Sequence, residues 1–226
     1  MSNLKKWDTF HCFAILGAGI IFWFTHWRIL FIFSAVPSFL YLIASEWLML
    51  KGLRPFGGYA NWATFMRLVG TIVVFTFSES FDNFQIATIL TILISMDGLD
   101  GFLARRFKQV TEFGANFDME TDALYVCLAT ILLFERNLVG SWILLIGFLR
   151  YFYVVLIYFM KMHYLVEKRT KFGPTIAVVL FIAVLIPYVL PKYIYFPFLL
   201  LASCLVIISF TWSFYLLILE KRKAEG

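Results

Sequence analysis

Eight apolar runs follow one another along the chain, at approximately residues 9–26, 29–50, 60–78, 82–104, 114–134, 138–160, 173–190 and 193–219. Short charged or Pro/Gly breaks separate them. Runs of about twenty residues match the hydrocarbon thickness of a bilayer at about 1.5 Å rise per helical residue. They show no strict apolar/polar alternation, so tilted helices fit them better than the strands of a β-barrel. The expected fold is all-α and integral to a membrane, with about eight transmembrane helices.

What little charge there is supports this class. Of 226 residues only 15% are charged and 62% are hydrophobic, with a mean hydropathy of +0.86. A soluble domain of this size carries about 25% charged residues. Three cysteines, Cys12, Cys127 and Cys204, lie far apart without CxxC spacing, which excludes a disulfide scaffold. The net charge of +5 is not gathered into a basic domain, so no nucleic-acid partner is expected.

The basic residues also orient the chain. An even number of spans leaves both termini on one side. Fourteen of the 19 basic residues then fall there, among them Lys5, Lys6, Lys51, Arg54, Arg105, Arg106 and Lys108. Only Arg28, Arg136 and Lys192 lie opposite, while Arg67 and Arg150 fall inside spans. By the positive-inside rule both termini are expected in the cytoplasm. His26, Trp27 and Arg28 close the first run with the wrong residues for signal cleavage, so that span is expected to be retained.

The acids are distributed unevenly. Six of fourteen (Asp97, Asp100, Glu112, Asp118, Glu120 and Asp122) fall within 26 residues. Carboxylates inside or beside a span are costly and mark function. Asp97 and Asp100 are three apart and share a helix face; Asp118 and Asp122 are four apart and share a face on the next helix. A short polar connection, RRFKQVTEF, pairs those helices antiparallel and gathers four carboxylates near the cytoplasmic surface. Four negative charges at such distances require cations. Hard oxygen donors without His or Cys point to Mg²⁺ or Mn²⁺, as two ions. Helix capping, or pairing with Arg105 and Arg106, explains one such Asp but not four on two faces. Glu120 points away from the Asp118/Asp122 face, and His11, His26 and His163 sit near run ends as interfacial residues.

The spacing Asp97-x2-Asp100-Gly101-x2-Ala104-Arg105-x8-Gly114-x3-Asp118-x3-Asp122 resembles the signature of the CDP-alcohol phosphotransferases at eight fixed positions. One helix earlier, Asn61-x2-Thr64-x2-Arg67 is similar to the opening of that family's first core helix. The resemblance covers residues 59 to about 220. It implies a six-helix catalytic core over 59–226, preceded by a two-span extension over 1–58.

The resemblance further implies transfer of a phosphatidyl group from CDP-diacylglycerol to a small alcohol, with release of CMP. Asp97, Asp100 and Asp118 would be metal ligands, and Asp122 both a ligand and the base that deprotonates the acceptor. Asn61, Thr64, Arg67, Gly101, Ala104 and Arg105 would bind the nucleotide and its phosphates. A homodimer in a lipid bilayer is the implied assembly. Arg150, deep in the sixth run, needs a partner or a ligand. With Lys168, Arg169 and Lys171 of the following loop it could hold an anionic acceptor such as a polyol phosphate.

The string Asp118-Met119-Glu120-Thr121-Asp122-Ala123 lacks the Pro and Lys usual in phosphatidylglycerophosphate synthases, which leaves the acceptor open. Two other readings are carried. One is a CDP-amino-alcohol donor with a diacylglycerol acceptor. The other, a divalent-cation channel or transporter, leaves Gly101, Ala104 and Arg105 without a role.

Overall fold

The structure, a computed structural model, describes residues 3–162 and 172–225, together with their side chains except those of Asp100, Ala224 and Glu225. The described residues are helical throughout, without a strand: α1 (Asn3–Thr25), α2 (Ile29–Ser45), α3 (Trp47–Gly52), α4 (Tyr59–Thr76), α5 (Asn83–Ser95), α6 (Asp97–Arg106), α7 (Glu112–Glu135), α8 (Ile143–Phe159), α9 (Gly173–Leu185) and α10 (Lys192–Glu225). Each of the eight apolar runs lies on this helical framework. The second run breaks at Glu46 between α2 and α3, and the fourth at Met96 between α5 and α6.

Local sequence sets the helix ends. The Asp82 side chain accepts from the Gln85 backbone N–H while the Gln85 side chain accepts from Asp82 N, a reciprocal cap that starts α5. Thr111 Oγ1 accepts from Gly114 N and starts α7. Before α4 the backbone turns through two left-handed residues, at φ +80° and +81°. Gly57 and Gly58 fill those positions because they carry no Cβ to clash.

α7 is the central helix. It packs on α4, α8, α9 and α1, and every residue from Ala123 to Leu133 is buried. The α1–α2 hairpin lies against this core chiefly through α8. Around the outside, Phe24, Phe33, Leu40, Phe159 and Leu201 are each more than half exposed. Apolar side chains facing outward in such numbers fit hydrocarbon rather than water. Three segments (Asn3–Thr25, Asn83–Arg106 and Lys192–Lys223) are long and apolar enough to cross a bilayer, and shorter apolar helices accompany them. The chain is an integral membrane protein.

Close approach of α7 and α8 rests on a glycine. A Cβ at Gly147 would lie 2.0 Å from Thr130 Oγ1 and 3.3 Å from the Cys127 backbone. Gly147→Ala is therefore expected to force the helices apart and destabilise the protein by about 1–3 kcal/mol, read as a lower unfolding temperature in detergent. An unchanged transition would show that this crossing can relax.

Candidate active site

The first half of α4 carries three polar residues at helical spacing. Asn61, Thr64 and Arg67 are all buried, Arg67 to 3% exposure. A buried guanidinium needs anions, and α6 and α7 supply them. Arg67 Nη1 lies 2.5 Å from Asp97 Oδ1 and 3.2 Å from Asp118 Oδ1, and Nη2 donates to Asp122 Oδ1. The acids thus come together from two helices around a cation from a third, but α6 and α7 meet chiefly through α4, on which both pack, rather than by pairing directly as the short connection predicts.

Asp97, Asp118 and Asp122 each offer an oxygen, all within 4.8 Å of one another. Their side chains are 31%, 36% and 29% exposed, so the group opens to one side while its arginine stays inside. Three carboxylates against one guanidinium leave this group net negative. An all-carboxylate donor set at this spacing suits a hard divalent cation, so the residues fit the Mg²⁺ or Mn²⁺ expected from sequence. Asp100 lies on α6 one turn after Asp97, with its side chain outside the described residues.

The remaining residues of the two motifs lie on the same three helices, α4, α6 and α7. Asn61 Nδ2 donates to Gly57 O at 2.7 Å, which fixes its amide at the entry to α4. Gly114 stands against it, since a Cβ there would lie 2.8 Å from Asn61 Oδ1. This glycine lets the start of α7 close onto α4. On α6 the atoms nearest to a Cβ built on Gly101 belong to the Arg105 guanidinium, at 3.4 Å, and Arg105 itself is exposed. Ala104 O accepts from Gln109 N at 2.9 Å as the chain leaves α6. Gln109 was not legible as a site residue, yet it ties the α6–α7 connection to the entry of α4. Its Oε1 accepts from Tyr59 N at 3.0 Å, and its Nε2 donates to Arg54 O at 2.8 Å.

Arg150 has the partner that its depth demands, and that partner is Glu120. Arg150 Nε and Nη2 lie 3.1 and 2.7 Å from Glu120 Oε1, and Glu120 is fully buried. Glu120 does face away from Asp118 and Asp122, so this pair lies across α7 from the acidic group. A third residue, Asp8 of α1, brings Oδ1 to 4.0 Å from Arg150 Nη2. His11 is no interfacial residue: it is fully buried, stacked on Trp7 at 5.2 Å, with Nδ1 2.9 Å from Ser38 Oγ. Lys168, Arg169 and Lys171 lie outside the described residues.

Comparison with known proteins covers the region that holds these residues. The family model described as CDP-alcohol phosphatidyltransferase matches residues 58–216, from the glycine turn before α4 into α10. The chain is similar to the CDP-diacylglycerol--glycerol-3-phosphate 3-phosphatidyltransferase of Escherichia coli (strain K12), with 38% identity over 65 residues, 29% of this chain and 36% of that protein. The proteins of the same description from Shigella boydii serotype 4 (strain Sb227) and Shigella sonnei (strain Ss046) match to the same extent. The aligned segment thus spans 36% of the length of these curated relatives. No solved structure matches the chain.

Proposed function

The chain belongs to the CDP-alcohol phosphatidyltransferase family, and from that premise we propose that it transfers a phosphatidyl group from CDP-diacylglycerol to a small alcohol or polyol-phosphate acceptor, releasing CMP. The observation that carries this reading is the meeting of Asp97, Asp118 and Asp122 around Arg67, on three helices of the matched region. The similar relatives are described as acting with glycerol 3-phosphate, which makes a polyol phosphate the first acceptor to try.

The family uses divalent metals. Asp97, Asp100, Asp118 and Asp122 would hold two ions, Mg²⁺ or Mn²⁺, which would supply positive charge against the pyrophosphate. Asp122 accepts the proton of the acceptor hydroxyl. The freed oxygen attacks the β-phosphorus as the bond from that phosphorus to the CMP oxygen breaks. Asn61 and Thr64 bind the cytidine ribose-phosphate, Arg105 faces the phosphates with charged donors, and Arg67 serves the nucleotide site from within, through the three carboxylates that it holds. Gly101 and Ala104 leave room for the nucleotide against the α6 backbone.

An anionic acceptor would be attracted by Lys168, Arg169 and Lys171. Arg150 already has its charge met by Glu120 and is not enlisted for it. By the positive-inside rule Arg105, Arg106 and Lys108 favour the cytoplasmic side for the α6–α7 connection, and with it for the site and both termini. The core is residues 59–226, with residues 1–58 as a two-span extension, and the assembly is a homodimer.

Purified chain with Mg²⁺ or Mn²⁺ and CDP-diacylglycerol, offered a panel of alcohols and alcohol phosphates, is expected to release CMP with at least one of them. Release should stop on chelation and resume on adding back the ion. No CMP with any acceptor would overturn the reading, and metal-ion flux without nucleotide would support a cation pathway instead.

A further inference from the structure

The extension and the acidic group meet through α7. Asp118 and Asp122 lie on one side of that helix, and Glu120, two residues from each, lies on the other. Whatever fixes Glu120 therefore fixes the rotation of the turns that carry both acids. Glu120 is held by the forked donors of Arg150, at 2.7 and 3.1 Å, in a fully buried position. Arg150 is shared with Asp8 of α1 at 4.0 Å, and Asp8 Oδ1 accepts from Cys12 Sγ at 3.8 Å. Asp8, Cys12 and Glu120 bring their ligand atoms within 4.8 Å of one another, so two carboxylates share one guanidinium.

The extension is well placed to act as a fixed wall behind this cluster. Trp7 Nε1 donates to Ser38 O at 2.8 Å, and His11 bonds Ser38 Oγ, which locks α1 to α2. Phe39 of α2 packs edge-on against Phe117 of α7 at 5.8 Å. Further along, a Cβ at Gly19 would lie 2.6 Å from the Phe148 ring, so α1 seats closely on α8. At the far end Arg28 Nη1 donates to Ser78 Oγ at 2.9 Å, and its Nη2 reaches Glu79 at 3.0 Å. The hairpin is tied to the core at both ends.

We infer that Asp8, acting through Arg150 and Glu120, is a positioning residue that sets the α7 turns bearing Asp118 and Asp122, which makes the N-terminal helices part of the catalytic unit. The inference rests on the transferase reading for what those acids do, and on the ion pairs alone for how they are held. Partners bonded directly to metal ligands typically change metal affinity about 10–100-fold when altered, and Glu120, which acts through the helix that carries the acids, is expected at the low end of that range.

The test is a titration of full-length protein with Mn²⁺, following the free ion by electron paramagnetic resonance, alongside kcat and KM. Glu120→Gln is expected to raise the Mn²⁺ dissociation constant about tenfold and to lower kcat while leaving the acceptor KM unchanged. Asp8→Asn, one step further from α7, should shift both in the same direction by a smaller factor, and Asp8→Glu should restore them. Wild-type Mn²⁺ affinity in Asp8→Asn, with only a lower melting temperature, would overturn the inference, and the same result in Glu120→Gln would leave the whole cluster purely structural. If Glu120→Gln does not fold, Asp8→Asn decides alone, because Asp8 sits at the partly exposed edge of the cluster. A wild-type chain that released no CMP would sink the transferase reading, yet the Mn²⁺ titration would still decide this one.

Discussion

Asp122→Asn is expected to cut CMP release about a thousandfold while CDP-diacylglycerol still binds. The substitution changes one atom type and almost no volume, and the Asn oxygen still accepts from Arg67 Nη2, as the Asp122 carboxylate does. The lost properties are basicity and one negative charge of the proposed metal site, of which basicity sets the size of the rate effect. An amide oxygen does not take a proton from an alcohol near neutral pH, so the acceptor hydroxyl stays a poor nucleophile. Asp97→Asn makes a useful contrast. It removes a charged donor from the proposed metal site without touching the proposed base, so its defect should appear first as weaker Mn²⁺ binding and be partly offset by excess ion. Nucleotide release by Asp122→Asn at the wild-type rate would remove Asp122 as the base. Loss of CDP-lipid binding together with turnover would instead recast it as chiefly a ligand.

Among the described residues hydropathy located every helical stretch, but not the breaks at Glu46 and Met96 nor where the first helix begins. The first apolar run opens near residue 9, whereas α1 starts at Asn3, because Lys5, Lys6 and Asp8 make its first two turns polar without making them less helical. That is why Asp8 went unread: it looked like part of a flank. Asp97, Asp118 and Asp122 were legible because spacings of three and four fix a shared face whatever the tertiary structure does. Arg67 was legible as a buried charge but not as the acids' partner, since the nearest of those acids in the sequence, Asp97, is 30 residues away. Which face α4 turns toward α6 and α7 is a matter of packing.

The same limit applied to Glu120. Its direction, away from Asp118 and Asp122, follows from helical geometry alone, but its pairing with Arg150 needs the rotation of α8 against α7. That rotation depends on Gly147 admitting Thr130, a contact no local pattern announces. His11 shows the reverse error. Its place near the end of a run suggested an interface, and the α1–α2 contact buried it on Trp7 and Ser38 instead.

Arg67→Gln is expected to abolish turnover and, in chelator, to destabilise the protein by about 2–3 kcal/mol. Removing one partner of a buried ion pair costs about 3–5 kcal/mol, and the lower figure reflects carboxylates that are about one-third exposed and so partly screened by water. The strain in the variant is repulsion among Asp97, Asp118 and Asp122, whose oxygens lie within 4.8 Å of one another. A divalent ion relieves that repulsion directly. Linkage then requires the variant to gain more stability from Mn²⁺ than wild type does, if the guanidinium and the ion neutralise the same oxygens; at 100 times the dissociation constant the gain is about 2.7 kcal/mol. Arg67→Lys keeps the charge but loses the planar fork that reaches three carboxylates at once, so it should fall between the two. The measurement is thermal unfolding in detergent with chelator and with Mn²⁺. If Arg67→Gln in chelator unfolds at the wild-type temperature, the three acids do not depend on Arg67, and the charge balance argued for this site is wrong.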